Sequence, residues 1–263
     1  MLTIKHYVRP QTLEEAWTLC QKRANVVLGG MLWLKMEDRT VDTAIDLCDL
    51  GLDTVEETPD AYRIGAMVPL RVLETHPGLR ALTRGAMADC LHDIVGVQFR
   101  NCATVGGTVY GRFGFSDPLT LLLALDASVE LYRGGVVPLR DFVNQGYSRD
   151  ILTHLILPRT PARTVYLSRR NTATDFPVLT CAVSLRGSTV HCAVGARPMK
   201  AARIDGTLDA PTEEAARAFA ESVADRLTFG SNLRGSADYR RELCRVLVRR
   251  ALTAALNQPE EVS

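Results

Sequence analysis

The sequence predicts an α+β protein in two parts. Three observations carry that expectation. Short β-prone segments and brief helical stretches fill residues 1–158. A Pro-containing polar link, Pro158 to Arg163, then leads into a run of alternating segments. The tail from Thr212 reads as helix alone. Strands grouped ahead of helices, without strict alternation, argue for α+β.

The first strand is Thr3 to Tyr7. A helix follows from Thr12 to Lys22, where Thr12 caps and Glu15 completes a capping box. Ala16, Leu19 and Cys20 share one of its faces. Val26-Val27-Leu28 is β-prone, ends at Gly29-Gly30, and gives way to an apolar helical run to Met36. Thr43 to Leu47 alternates as a strand. Thr54 to Thr58 is a weaker strand and Ala61 to Met67 a stronger one. Helix begins at Val68 to Leu73 and continues with helical periodicity from Leu79 to Cys90, ending near Gly96.

Arg100 to Asp126 repeats the earlier design. Ala103-Thr104-Val105 is β-prone and runs into Gly106-Gly107, with Gly111 and Gly114 beyond. Ser116 or Asp117 caps the apolar helix Leu119 to Leu125, and Pro118 suits its first turn. Ser128 to Tyr132 and Ile151 to Leu157 read as strands, and Val136 to Leu139 as an edge piece. Past the link, Thr164 to Arg169, Val178 to Arg186 and Thr189 to Val194 form a three-stranded antiparallel meander turning at Gly187-Ser188. Ala201 to Ile204 continues as strand. Helices span Thr212 to Leu227 and Ala237 to Leu256. Arg240, Arg241, Arg245 and Arg249 are expected on a solvated face of the last one.

Composition narrows the function classes. Lys+Arg 31 against Asp+Glu 30 leaves a net charge of +1, which argues against a general nucleic-acid or anionic-membrane binder. No apolar run approaches the ~20 residues of a membrane span, and MLTIKHYVRP has no signal-peptide core, so a cytoplasmic protein is expected. The seven cysteines form no C-x-x-C pair, and the five histidines lack metal-ligand spacing. No metal site, no catalytic triad and no catalytic side chain of the chain's own are expected.

The two Gly-Gly units carry the chemistry. Adjacent glycines leave backbone that a ligand approaches closely, and successive N–H groups in a turn make an anion-binding concavity. Two such units suit one diphosphate. Neither is the G-x-G-x-x-G of a Rossmann unit.

Leu28 to Leu32, Arg100 to Thr108, Ser116-Asp117 and Leu122 to Ala127 together resemble the paired FAD motifs of the flavin-carrying medium subunit of molybdenum hydroxylases. That is the xanthine dehydrogenase and carbon monoxide dehydrogenase type. Val165 to Leu185 and Leu233 to Arg241 extend the resemblance through the second half. It implies a two-subdomain FAD-binding fold of the vanillyl-alcohol-oxidase (PCMH) type over 1–158, with subdomains of about 1–52 and 53–158. A C-terminal domain of the CO dehydrogenase flavoprotein type would occupy 159–263.

The resemblance also implies roles. Val27, Leu28, Gly29, Gly30, Met31, Leu32 and Trp33 would wrap the pyrophosphate and ADP side. Thr104, Gly106, Gly107, Thr108 and Gly111 would hold the pyrophosphate from the other subdomain. Asp117 would meet the ribose or adenine, Leu152 the flavin ring and Tyr166 its edge. Partners would be a molybdopterin-binding large subunit and a 2Fe-2S small subunit, with NAD or another acceptor taking the electrons. Two positions depart from the family pattern. Met31 stands for a hydroxyl residue and Thr108 for an amide. A flavin-free assembly subunit that kept the fold is the alternative these departures raise.

Overall fold

The structure is a computed structural model that describes residues 1–259. Its regular elements begin with β1 (Thr3–Val8), α1 (Leu13–Cys20), β2 (Val26–Leu28), β3 (Thr40–Asp46), β4 (Val55–Glu57) and β5 (Ala61–Gly65). Short helices follow: α2 (Leu70–Thr75), α3 (Pro77–Leu82), α4 (Ala86–His92), α5 (Val97–Cys102), α6 (Val105–Gly111) and α7 (Asp117–Ala124). Then come β6 (Ser128–Leu131), β7 (Gly135–Pro138), α8 (Leu139–Asn144) and β8 (Leu152–Pro158). The chain continues with β9 (Arg163–Arg169), β10 (Leu179–Arg186), β11 (Thr189–Gly195), β12 (Ala202–Thr207), α9 (Glu213–Arg226) and α10 (Ala237–Leu256).

Two compact units emerge. The first gathers residues 1–72, 97–111 and 127–158, and the second gathers 73–96, 112–126 and the chain from Arg159. Both Gly-Gly segments fall in the first unit.

That first unit holds two sheets. β1-β3-β2 is wholly parallel, with α1 as the crossover between β1 and β2. Thr12 caps α1 by accepting from the Glu15 N–H, and Glu15 reaches back to the Gln11 N–H at 2.9 Å. The helix turns Ala16 and Cys20 onto Ile45 and Leu47. The second sheet, β4-β5-β8-β6-β7, is antiparallel. Its strands alternate: Tyr62, Ile64, Val129, Leu155 and Leu157 are buried. On the opposite face Arg63 pairs with Glu130 at 2.8 Å. Period-two patterning of this kind fixes which face is covered.

The second unit is built on an antiparallel sheet, β12-β11-β10-β9. Leu179, Cys181, Val183 and Leu185 face a core shared with α9 and α10. Thr180 faces the other way, where its hydroxyl meets that of Thr120 on α7 at 2.8 Å. Both faces of β10 are therefore covered, which explains why seven of its eight residues are buried. The expected meander gains a fourth strand, because Ala202–Thr207 pairs along β11.

Several local expectations are corrected. Ala103-Thr104-Val105 is not strand: α5 ends just before it, Val105 already begins α6, and Thr104 makes an isolated bridge with Pro69. The run after Gly30 forms a single 3-10 turn, Leu34–Met36. Leu79 to Cys90 breaks in two at Arg84 and Gly85, both in the left-handed region at φ 52° and 90°. Arg240 is not solvated. It is 1% exposed and donates to the carbonyls of Val178 (2.9 Å), Gly230 (2.8 Å) and Gly235, and to Asn232 Oδ1 (2.6 Å). Arg240 lies on the buried face of α10 with Cys244, Leu247 and Ala251, not on the solvated face expected for it.

Candidate cofactor site

The two glycine turns meet. A Cβ on Gly29 would lie 2.7 Å from Thr104 Oγ1 and 3.4 Å from the Gly107 Cα. One on Gly30 would strike the Cys102 carbonyl and lie 3.1 Å from the Ala103 Cα. Glycine is required at both because no side chain fits between the segments. Bare backbone therefore faces bare backbone where β2 ends and α6 begins.

The two turns differ in what they offer. At the first, the N–H groups of Gly30, Met31 and Leu32 have no protein acceptor among the described residues. Met31 adopts φ 58°, so the chain kinks through the left-handed region there. Consecutive unspent N–H groups around such a kink are the donor set of an anion nest. The second turn spends its donors. Val105 N–H goes to Val68 O (2.9 Å), Gly106 N–H to Ala66 O (2.7 Å), and Thr108 N–H to Thr104 O (3.0 Å). Gly107 N–H goes to Thr104 Oγ1 at 3.2 Å. The sequence reading gave this turn bare N–H groups. The structure leaves it the Thr104 hydroxyl proton and the room beside Gly107.

Neighbouring predicted residues attach to this frame. Val27 and Leu28 are in β2, paired with Ile45 and Asp46 of β3. Leu32 and Trp33 follow the kink, and the Trp33 ring packs edge-on to Phe99 of α5 at 6.2 Å. Leu152 is buried at the start of β8. The next residue, Thr153, accepts from the Ala66 N–H at 2.8 Å, so β8 braces the carbonyl that holds Gly106. Gly111 closes α6, and its carbonyl accepts from the Tyr147 hydroxyl at 2.9 Å.

Asp117 and Tyr166 belong to the second unit and are bonded to each other. Ser116, not Asp117, caps α7, accepting from the Leu119 N–H at 3.2 Å. Asp117 sits one residue inside, 5% exposed, and its Oδ1 accepts from both the Tyr166 hydroxyl and Arg170 Nη2. Burial pushes its carboxyl up to about 6, against the pull of Arg170 and Tyr166. Burial, and then the Asp117 charge, push the Tyr166 phenol well above its ordinary value. Sequence reasoning missed Arg170. The one signal was its place four residues past Tyr166, at the end of β9.

Residues 2–160 match the family described as the FAD binding domain in molybdopterin dehydrogenase, and residues 163–255 match the CO dehydrogenase flavoprotein C-terminal domain. The chain belongs to this flavoprotein family. It is an FAD-binding medium subunit of the molybdenum hydroxylase type, an oxidoreductase subunit. The flavoprotein is 30% identical over 251 residues to a protein named "Uncharacterized protein YgfM" of Escherichia coli K12, covering 93% of this chain and 94% of that one. It is 29% identical over 274 residues to the nicotine 6-hydroxylase medium subunit of Paenarthrobacter nicotinovorans, covering 95% and 96%. Its fold matches a chain of the carbon monoxide dehydrogenase from Hydrogenophaga pseudoflava at TM-score 0.84 and 24% identity, over 95% and 96% of the two chains. Among the described residues, no helix is long and apolar enough to cross a membrane. The donor set at Gly30 to Leu32 and the glycine-lined clearance beside it suit the phosphates of FAD.

Proposed function

We propose that the flavoprotein holds FAD by its diphosphate at the first glycine turn and serves as the electron-transfer subunit of a molybdenum hydroxylase complex. The observation that carries this reading is the set of three unspent N–H groups at Gly30, Met31 and Leu32, set against glycine backbone. Val27 and Leu28 end the strand that aims the turn, and Trp33 closes it. Thr104, Gly106, Gly107, Thr108 and Gly111 provide close approach and hydroxyl groups from α6. The same reading gives Asp117 the ribose or adenine, Leu152 the flavin ring and Tyr166 its edge. Bound FAD supplies two-electron and one-electron redox chemistry, and the protein's task is to bind and orient it.

Electrons would come from the iron–sulfur clusters of a small subunit, delivered by a molybdopterin-binding large subunit, and leave to NAD or another acceptor. The domain division at about residue 158, with subdomains near 1–52 and 53–158, belongs to the same reading. FAD titration into the purified apo-chain, followed by flavin fluorescence, tests it. Saturable quenching is expected, and unchanged fluorescence at high FAD would defeat it.

One observation favours a second reading, a flavin-free assembly subunit. The donors of the second turn are internally spent, and Met31 and Thr108 replace polar groups of the family pattern. A Met31→Thr, Thr108→Asn double variant separates the two, since a large gain in FAD affinity would mark a degraded site.

A further inference from the structure

Residues 145–150 lie outside the flavin motifs, yet they are tied to both segments that carry them. The Tyr147 hydroxyl donates to the Gly111 carbonyl at 2.9 Å, and the Tyr110 hydroxyl donates to the Ser148 carbonyl. The two rings are 6.0 Å apart. These bonds fix the far end of α6. One residue on, Arg149 Nη1 donates to the Cys20 and Lys22 carbonyls, both at 3.0 Å. Gln21 Nε2 returns a bond to the Arg149 carbonyl at 2.8 Å. These fix the end of α1, from which the chain runs directly into β2 and Gly29. Asp150 anchors the segment by accepting from the N–H groups of Gly134 (2.7 Å) and Ile151 (2.8 Å).

The geometry points to residues 145–150 as a strap that sets the spacing of the two glycine turns, with Tyr110, Tyr147 and Arg149 as positioning residues for the flavin. This rests on the reading that FAD binds there. At the turns themselves the two segments meet through backbone and the Thr104 hydroxyl, with the Trp33–Phe99 ring contact beside them. A site of this kind loses affinity when its parts drift by about half an ångström. The strap resists that drift by closing a loop: β2 meets α6 at the turns, and α6 meets the α1–β2 connection through residues 147–149.

The test uses the full chain and FAD itself. Wild type, Tyr110→Phe/Tyr147→Phe, Arg149→Lys and Arg149→Met are compared for FAD affinity, visible circular dichroism of the bound flavin, and apo-protein melting temperature. The paired Phe variant removes two hydroxyl bonds while keeping the rings. It is expected to weaken FAD about tenfold and alter the dichroism, with little change in melting. Arg149→Lys should bind FAD better than Arg149→Met, because an ammonium keeps a donor toward the two carbonyls. Unchanged affinity and dichroism in the Phe pair would overturn the proposal. So would equal losses in the Lys and Met variants, or affinity falling only in step with melting temperature. If the Phe pair does not fold, Tyr147→Phe alone and the Arg149 series decide. Wild type failing to bind FAD defeats the functional reading itself, a result distinct from any contrast among variants.

Discussion

The Tyr166 hydroxyl donates to the Asp117 carboxylate, and the Arg170 guanidinium binds the same oxygen. Each of the three side chains is more than nine-tenths withdrawn from solvent. A carboxylate in such a place is held by its partners and penalised by its burial.

The folded-state value of Asp117 is raised from 3.8 to about 6, so the folded protein holds this proton more tightly than the unfolded chain. The contribution of Asp117 to stability is present below about pH 4 and lost as pH rises through about 6. Its size is on the order of 3 kcal/mol at 1.36 kcal/mol per unit. Asp117→Asn should remove the pH step while keeping an acceptor for Tyr166 and Arg170. Denaturant unfolding of both proteins from pH 4 to 7 checks this. A difference between them that is independent of pH would refute it.

Removing Arg170 acts differently. Arg170→Met strips the carboxylate of the guanidinium bonded to it and should cost roughly 3–5 kcal/mol at pH 7, the usual cost of leaving a buried charge unpaired. The loss should shrink at pH 4, where Asp117 is protonated. Chemical denaturation at the two pH values reads this directly.

Gly30→Ala drives a methyl group into the Cys102 carbonyl. Backbone cannot give way cheaply, so a loss of about 1–3 kcal/mol is expected, together with weaker FAD binding because the two turns must part. Thermal melting and flavin titration measure the two effects. An unaffected Gly30→Ala protein would mean that the turns do not abut.

Met31 pays for its left-handed backbone, a conformation that costs an ordinary residue roughly 1–2 kcal/mol. Asparagine tolerates it better. Met31→Asn should therefore raise unfolding free energy by about 0.5 kcal/mol, and a lowered melting temperature would contradict the geometry.

Arg240 fastens the 230–235 segment to the strand start at Val178 through four acceptors, none of them a carboxylate. Arg240→Lys should destabilise nearly as much as Arg240→Met, by roughly 3 kcal/mol, because an ammonium cannot span that fork. Near-complete rescue by lysine in denaturant melts would show that charge alone matters.

Much of this was legible in the chain, and the failures have causes. Strands with period-two burial, such as Ala61–Gly65 and Ser128–Leu131, announce themselves because one face is covered and the other is not. The helix caps at Thr12, Ser116 and Thr212 are local chemistry and were readable within a residue. Thr104-Val105 misled because β-branched residues favour strand. Here the carbonyls of Ala66 and Val68 capture the donors and α6 starts at once, a tertiary choice that overrides propensity. Arg170 and Arg240 were missed for one reason: sequence marks an arginine as charged, and only packing shows that its partners are buried with it. The glycine turns were found, but which of them keeps its donors depends on residues some forty positions away.

The pairing of the Gly106 and Gly107 amides has a consequence for biogenesis. The Val68 and Ala66 carbonyls and Thr104 take up the first-turn donors of helix α6, so it needs no nucleotide to take shape. Newly made chains should then present a finished receptor instead of a half-ordered one, and flavin loading becomes a docking event, separable in time from the folding that prepares for it.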